Sequence, residues 1–195
     1  FFNAHAEHEF IKYIDMRNSP EHYLPQVQRK HFRDYVVLHN SNAGILPGKV
    51  LMKLAASLRL KNPWDTARTI PYFGSQWWAL TPQCCQYMLD YVSGNPGFVE
   101  MNRQSFSPDE HFFHTLVGNS PFAVHSDGVQ LFEGRGTWRL ANLHLIHPSL
   151  AHIYTDDDCE EVTTSGRLFV RKVTTFQSTL LLDRLDDLVE SGARE

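Results

Sequence analysis

Glu110 is the residue whose type and place best suit acid–base chemistry. It stands in the stretch from Ser105 to Phe122, Ser-Phe-Ser-Pro-Asp-Glu-His-Phe-Phe-His-Thr-Leu-Val-Gly-Asn-Ser-Pro-Phe. Ser107 can cap a helix, and Pro108 suits the first helical position, where its missing N–H costs nothing. Asp109 and Glu110 then fall in the first turn, where the helix dipole favours negative charge. A carboxylate at the mouth of a short helix suits a general base. The same residues also spell a capping box, Ser-x-x-Glu, with Glu110 reaching back to the N–H of Ser107. Local sequence leaves both roles open.

Other residues invite chemistry less strongly. Trp77 and Trp78 are adjacent, so a strand would send them to opposite faces, one to the core and one to a cleft where its ring could stack on a sugar. Both could equally be core. His111 and His114 lie three apart, not four as in the zinc-protease motif, and the remaining histidines of the 11 are scattered. Cys84 and Cys85 read as core residues of a helix, not nucleophiles. Asp156-Asp157-Asp158 has a simple reading as the acidic first turn of a helix, with metal binding the alternative.

Composition narrows the classes. A chain of 195 residues that is 42% hydrophobic can bury a real core. A formal net charge of −4 leaves no excess of Lys and Arg for broad nucleic-acid binding, so any phosphate site must be local. Only 3 cysteines, two of them adjacent, exclude a disulfide scaffold and lean towards a reducing compartment. No apolar run is long enough to span a bilayer. The chain opens on Phe1-Phe2-Asn3-Ala4-His5, with neither a start methionine nor a signal-peptide pattern. A fragment of a longer protein is the expectation.

The elements that must position these residues follow from periodicity and breakers. Glu9 to Met16 reads as a strand, broken by Asn18-Ser19-Pro20. His22 to His31 reads as helical or irregular, Phe32 to Leu38 as a strand, and Lys49 to Leu60 as an amphipathic helix. Ile70 to Leu80 reads as strand, tight turn, strand, with Gly74 allowing close backbone approach. Thr81-Pro82 opens a helix whose inner face is Cys85, Met88, Leu89 and Val92, ended by Ser93-Gly94-Asn95-Pro96. The central helix buries Phe112, Phe113 and Leu116 and ends at Gly118-Asn119. Val124 to Thr137 reads as an irregular loop over a site. Leu143 to Ile146 reads as a buried strand, and Thr155 starts a helix that Gly166 closes. Arg167 to Val173 reads as a short strand ending in the basic pair Arg171-Lys172. Ser178 to Glu190 reads as an amphipathic helix with Leu181, Leu182, Leu185, Leu188 and Val189 inward. The alternation of strands and helices, without repeat or linker, predicts an α/β layer architecture in one domain over residues 1–195.

Three blocks together resemble one family. They are Gly74-Ser75-Gln76-Trp77-Trp78-Ala79-Leu80, then Ser107-Pro108-Asp109-Glu110 with Phe112-Phe113-His114-Thr115 and Asn119-Ser120-Pro121, then Ser165-Gly166-Arg167-Leu168-Phe169-Val170-Arg171-Lys172. In this order the chain resembles the core-2/I-branching β-1,6-N-acetylglucosaminyltransferases and the peptide O-xylosyltransferases. The Phe-Phe-His-Thr and Asn-Ser-Pro pieces look nearer the xylosyltransferases, and the scarcity of cysteine nearer bacterial members. The resemblance covers about Tyr72 to Asp187. It implies a GT-A-like fold, of which this chain is mainly the C-terminal, acceptor-side half, with a missing N-terminal half of the same protein building most of the uridine site.

The resemblance also implies an activity: inverting transfer of GlcNAc or xylose from a UDP-sugar to a hydroxyl of a glycan or peptide, with no metal and no cofactor beyond the donor itself. By the same resemblance Glu110 is the catalytic base, and Lys172 with Arg171 holds the donor diphosphate. Arg139 is the nearest arginine to the family's second phosphate ligand, and His144 takes the aligned position nearest the xylosyltransferases. Gln76, Trp77, Trp78 and Asp109 fall on the acceptor side. Xylosyltransferases carry an aspartate at the position of Gln76. Glutamine cannot take a proton at neutral pH, though it can hydrogen-bond a hydroxyl. The alternative is a catalytically inactive glycan- or nucleotide-sugar-binding module of the same fold. The expected setting is cytoplasmic, with a peripheral membrane association that this chain does not itself encode, or the Golgi lumen for a eukaryotic protein. An inverting displacement needs a base on the acceptor and charge on the departing diphosphate, which cationic side chains supply where no metal is bound.

Overall fold

The computed structural model describes residues 1–31, 50, 53–54, 58, 60–62 and 64–192. The strand expected over 32–38 and most of the helix expected over 49–60 lie outside the described residues.

The central strand is β1 (Glu9–Asp15), and its sequence shows why. Alternation sends Ile11 and Tyr13 to one face, both buried, and Phe10, Lys12 and Ile14 to the other. On one side β1 pairs antiparallel with β2 (Tyr72–Gly74), Ile14 opposite Phe73. On the other it pairs parallel with β3 (Ser126–Gln130), Tyr13 opposite Val129. The order is therefore β2-β1-β3. β3 corrects the irregular loop expected over 124–137. Its Ser-Asp-Gly-Val-Gln sequence holds a single β-former, Val129, and it is a strand because β1 offers it a ladder. A short helix, α1 (Leu24–Gln28), follows β1.

The helix expected after Thr81-Pro82 is α2 (Pro82–Gly94), with the Thr81 hydroxyl accepting from the N–H of Cys84 at 3.1 Å. Its buried residues are Cys84 and Met88, while Leu89 is 64% exposed, so the inner face is turned by one residue from the expected one. The buried carboxylate of Glu9 accounts for the turn. It accepts from the Thr81 N–H at 2.8 Å and from the Thr81 hydroxyl at 2.5 Å, pinning the first turn of α2 to β1. Burial pushes the Cys84 thiol up to about 12, with Glu9 adding to it, which makes that thiol an inert core group. A further helix, α3 (Pro96–Arg103), starts at once on Pro96; the residues that end α2 also begin its neighbour.

The central helix α4 (Phe112–Gly118) lies against β2. It buries His114, Thr115, Leu116 and Val117, with Phe112 and Phe113 only half-buried, so the apolar-face expectation holds at Leu116 alone. Polar residues are inside because β2 is an edge strand with unpaired backbone groups. The Thr115 hydroxyl accepts from the Tyr72 N–H at 3.0 Å and donates to the Tyr72 carbonyl at 3.3 Å. The Asn119 side chain accepts from the Ile70 N–H at 3.2 Å and donates to the Ile70 carbonyl at 2.8 Å. His114 Nε2 donates to the Ser75 carbonyl at 3.0 Å. Three side chains of one helix end thus stand in for the missing next strand. The approach requires glycine twice. A Cβ on Gly74 would lie 2.3 Å from His114 Cδ2, and one on Gly118 would lie 2.4 Å from Tyr72 Cδ2.

A second, parallel sheet joins β4 (His144–Ile146) to β5 (Phe169–Arg171). Between them come a 3-10 turn at Asp156–Asp158 and α5 (Cys159–Thr164). The Asp158 carboxylate accepts from the Thr155 N–H at 2.8 Å, so the acidic run does begin a helix. The chain ends in α6 (Thr179–Gly192). Leu181 packs with Tyr154 and Val162 in a small second core, but Leu188 and Val189 are exposed, contrary to the inward face expected for them. The whole is mixed α/β. Among the described residues no helix is long and apolar enough to cross a membrane.

The edge closure is measurable. Thr115→Val keeps shape but leaves a buried N–H and carbonyl of Tyr72 without partners, which should cost about 2–3 kcal/mol of stability in denaturant melts. Thr115→Ser keeps the hydroxyl and should cost about 1 kcal/mol. Equal losses for the two would refute the bridging role.

Candidate functional site

The segment 75–80 was expected to be a strand. It is extended but unpaired, apart from an isolated bridge between Ala79 and Phe10. The reason is the His114 bond to the Ser75 carbonyl, which draws the chain onto α4 immediately after β2. The two tryptophans still part company. Trp78 packs on Phe113 at 5.0 Å between ring centroids, as part of the core. Trp77, half-buried, faces the second sheet. Its ring lies 4.7 Å from that of His144, and His144 in turn stacks on Phe169 at 4.8 Å and 24°. The Arg171 guanidinium sits 5.2 Å from the Trp77 ring centre. Burial lowers the His144 pKa, and Arg171 lowers it further, so the ring that shares Trp77 with a guanidinium is held neutral.

Asn142 locks this arrangement. Its side-chain amide donates to the Trp77 carbonyl at 2.9 Å, and its own carbonyl accepts from the Arg167 guanidinium. Neither Asn142 nor the ring of Phe169 stood out in the sequence. The one available signal for Asn142 was a polar residue inside Leu140-Ala141-Asn142-Leu143, where the structure buries all four.

Glu110 does not cap a helix. Pro108–Glu110 is a separate 3-10 turn, and α4 starts only at Phe112. Ser107 makes no side-chain cap bond, because its backbone takes the left-handed conformation at φ 50 and its hydroxyl is turned from the following N–H groups. Such a conformation at a non-glycine residue costs about 1–3 kcal/mol; Leu150, at φ 57, shares it. The Glu110 carboxylate has no hydrogen-bond or ion-pair partner among the described residues. Burial pushes its pKa up to about 7, and the neighbouring Asp109 adds to the rise. Asp109 itself is exposed.

The remaining predicted site residues separate into groups. Arg171 points into the Trp77 cluster, while Lys172, just past the end of β5, is exposed. Gln76 is exposed beside Trp77. Arg139 is drawn elsewhere, bonded to the Glu133 carboxylate at 3.2 Å and lying over its neighbour Trp138 at 4.8 Å. His111 and His114 are both fully buried, and burial takes their pKa values down to about 4 and about 3. His114 is spent on Ser75, and among the described residues no three His, Cys, Asp or Glu side chains are grouped to hold a metal ion. Comparison with protein families, with curated proteins and with solved structures finds no match.

The raised Glu110 carboxyl carries a stability signature. The native state holds its proton up to about pH 7, whereas the unfolded chain releases it near 4.5. Its contribution is therefore fully present below about pH 4.5 and lost as pH rises through about 7. In Glu110→Gln that loss should vanish. The melting temperature of the variant minus that of the wild type should climb across this window, and a difference independent of pH would contradict the assignment.

Proposed function

We propose that the protein is an inverting, UDP-sugar-dependent glycosyltransferase of GT-A-like fold that moves GlcNAc or xylose to a hydroxyl of a glycan or peptide. One observation carries the reading: three blocks far apart in sequence meet at residues 75–78. The block holding Glu110 reaches them through His114 on the Ser75 carbonyl and Phe113 on Trp78. The block holding Arg171 reaches them through Arg171 and His144 on Trp77. The segments that carry the proposed base, aromatic platform and cation are thus tied to one short stretch of chain, which supports the reading.

In this reading Glu110 takes the proton of the acceptor hydroxyl. A carboxylate with a pKa of about 7 suits the task, being basic yet about half ionised at neutral pH and more so above it. The face of Trp77 offers a surface for a sugar ring. Arg171 stabilises charge on the leaving diphosphate from inside the cluster, and exposed Lys172 screens it from outside. Gln76 orients the acceptor by hydrogen bonding, with Asp109 at the rim. Arg139, committed to Glu133, is not needed.

Glu110→Gln tests the proposal. Since Glu110 forms no cap, the variant should fold normally. Its transfer rate should drop by roughly 10²–10⁴-fold with donor affinity nearly unchanged, and the rise of wild-type rate through about pH 7 should disappear. Transfer should persist in EDTA, because the charge on the diphosphate is met by side chains. Near-native transfer by Glu110→Gln would move the base to Asp109. Binding of UDP-sugar without turnover in the wild type would instead identify a binding module.

A further inference from the structure

Lys12 and Arg167 face each other across a cleft of about 470 Å³ that the transferase reading does not use. Lys12 projects from β1 on the face opposite Ile11 and Tyr13. Phe10 and Leu143 give the cleft an apolar wall, and Asp127 and Gln130 of β3 close its rim. The volume falls within the range of small-molecule sites, roughly 300–1,000 Å³.

Arg167 is fixed there, not free to swing. Gly166, with φ 66, turns the chain; the Arg167 N–H donates to the Ser165 hydroxyl at 3.1 Å, and one guanidinium N–H donates to the Asn142 carbonyl. Its remaining N–H groups have no partner among the described residues, and neither does the Lys12 ammonium. The carboxylate among the described lining residues, Asp127, is already engaged by His8 Nε2 at 3.0 Å. The Gln130 amide is spent on the carbonyls of Asp127 and Gly128. Two cations therefore line one cleft, Lys12 half-buried and Arg167 exposed at its mouth, while the Asp127 carboxylate is engaged by His8. Burial lowers the Lys12 pKa first, repulsion from Arg167 lowers it further, and Asp127 only partly offsets them. Like charges brought together in this way are at their lowest energy with an anion between them.

We propose that this cleft binds a small organic phosphate, its phosphate or diphosphate held between Lys12 and Arg167 and its organic part against Phe10 and Leu143. The guanidinium offers a planar fork for two oxygens and the ammonium a compact charge opposite it. The inference makes no claim about turnover, and its two cations touch neither Glu110 nor the Trp77 ring; Asn142, which fixes Arg167 through its carbonyl and holds the Trp77 carbonyl through its amide, is the one residue the two regions share among the described residues.

Calorimetric titration of the whole chain with inorganic diphosphate and, separately, with uridine diphosphate tests it. Both should bind saturably, the nucleotide more tightly. Lys12→Gln and Arg167→Gln should each weaken binding by about 10–100-fold, the loss of one charge-assisted contact. Asp127→Asn should tighten it several-fold by removing the competing carboxylate. Arg103→Gln, which removes an exposed positive charge paired with Glu100 outside the cleft, should change it less than about twofold. Thermal melting of each variant without ligand establishes folding, and the rise in melting temperature that diphosphate gives the wild type should be lost in the Lys12 and Arg167 variants. No saturable binding by the wild type, or affinities that ignore Lys12, Arg167 and Asp127, would overturn the proposal.

Discussion

The arrangement depends on closing the outer edge of β2. A buried strand edge carries N–H and carbonyl groups that must find partners. Here no further strand pairs with that edge among the described residues, and α4 supplies side chains in its place: Asn119 at Ile70, Thr115 at Tyr72, His114 at Ser75. The spacing is what makes this work. Thr115 and Asn119, four apart on the helix, meet Ile70 and Tyr72, alternate residues that present their backbone groups to one edge, and His114 takes the Ser75 carbonyl just past the strand. Gly74 and Gly118 supply the room. The Phe-Phe-His-Thr and Asn-Ser-Pro pieces thus have a structural cause in this chain.

That closure sets the positions of the groups proposed to act. The turn carrying Glu110 is continuous with the helix that grips β2, so its carboxylate is carried on a fastened element without taking part in the fastening. The grip at Ser75 also pulls the chain out of the sheet, which frees Trp77 to turn towards β4 and β5. There His144, Phe169 and Arg171 surround its ring, and Asn142 fixes its carbonyl. The electrostatics follow from burial. Histidines inside the clamp are neutral, and the carboxylate beside it is held partly protonated.

Elements whose formation is local were legible in the sequence: β1, α2 with its Thr81 cap, the helix start at Thr155, and the buried strand before Pro148. What the sequence hid was decided by distant partners. β3 has poor strand residues and exists through pairing with β1. The inner face of α2 is set by Glu9, 72 residues away in sequence from Thr81. The Ser-x-x-Glu pattern looked like a capping box, yet the left-handed Ser107 breaks it, while a backbone-to-carboxylate cap does form at Thr155 and Asp158. Periodicity gave α6 a longer apolar face than the second core is large enough to cover. At the candidate site, residue types singled out Glu110 and the pair Trp77-Trp78, and the family resemblance singled out Lys172 with Arg171 beside it. Only the fold could separate Arg171 from Lys172, divert Arg139 to Glu133 and bring in Asn142.

The central claim is that the segment around Trp77 joins the donor and acceptor sides of one sugar-transfer site. Side-chain NMR reads it directly, by following the indole N–H of each tryptophan and the arginine Nε–H signals during titration with UDP-GlcNAc and UDP-xylose. The Trp77 indole and the Arg171 signal should move together along a single saturable curve for at least one donor, while the Trp78 indole, packed on Phe113, stays nearly still. Saturable donor binding that leaves Trp77 and Arg171 unmoved, or no binding by either donor, would contradict it.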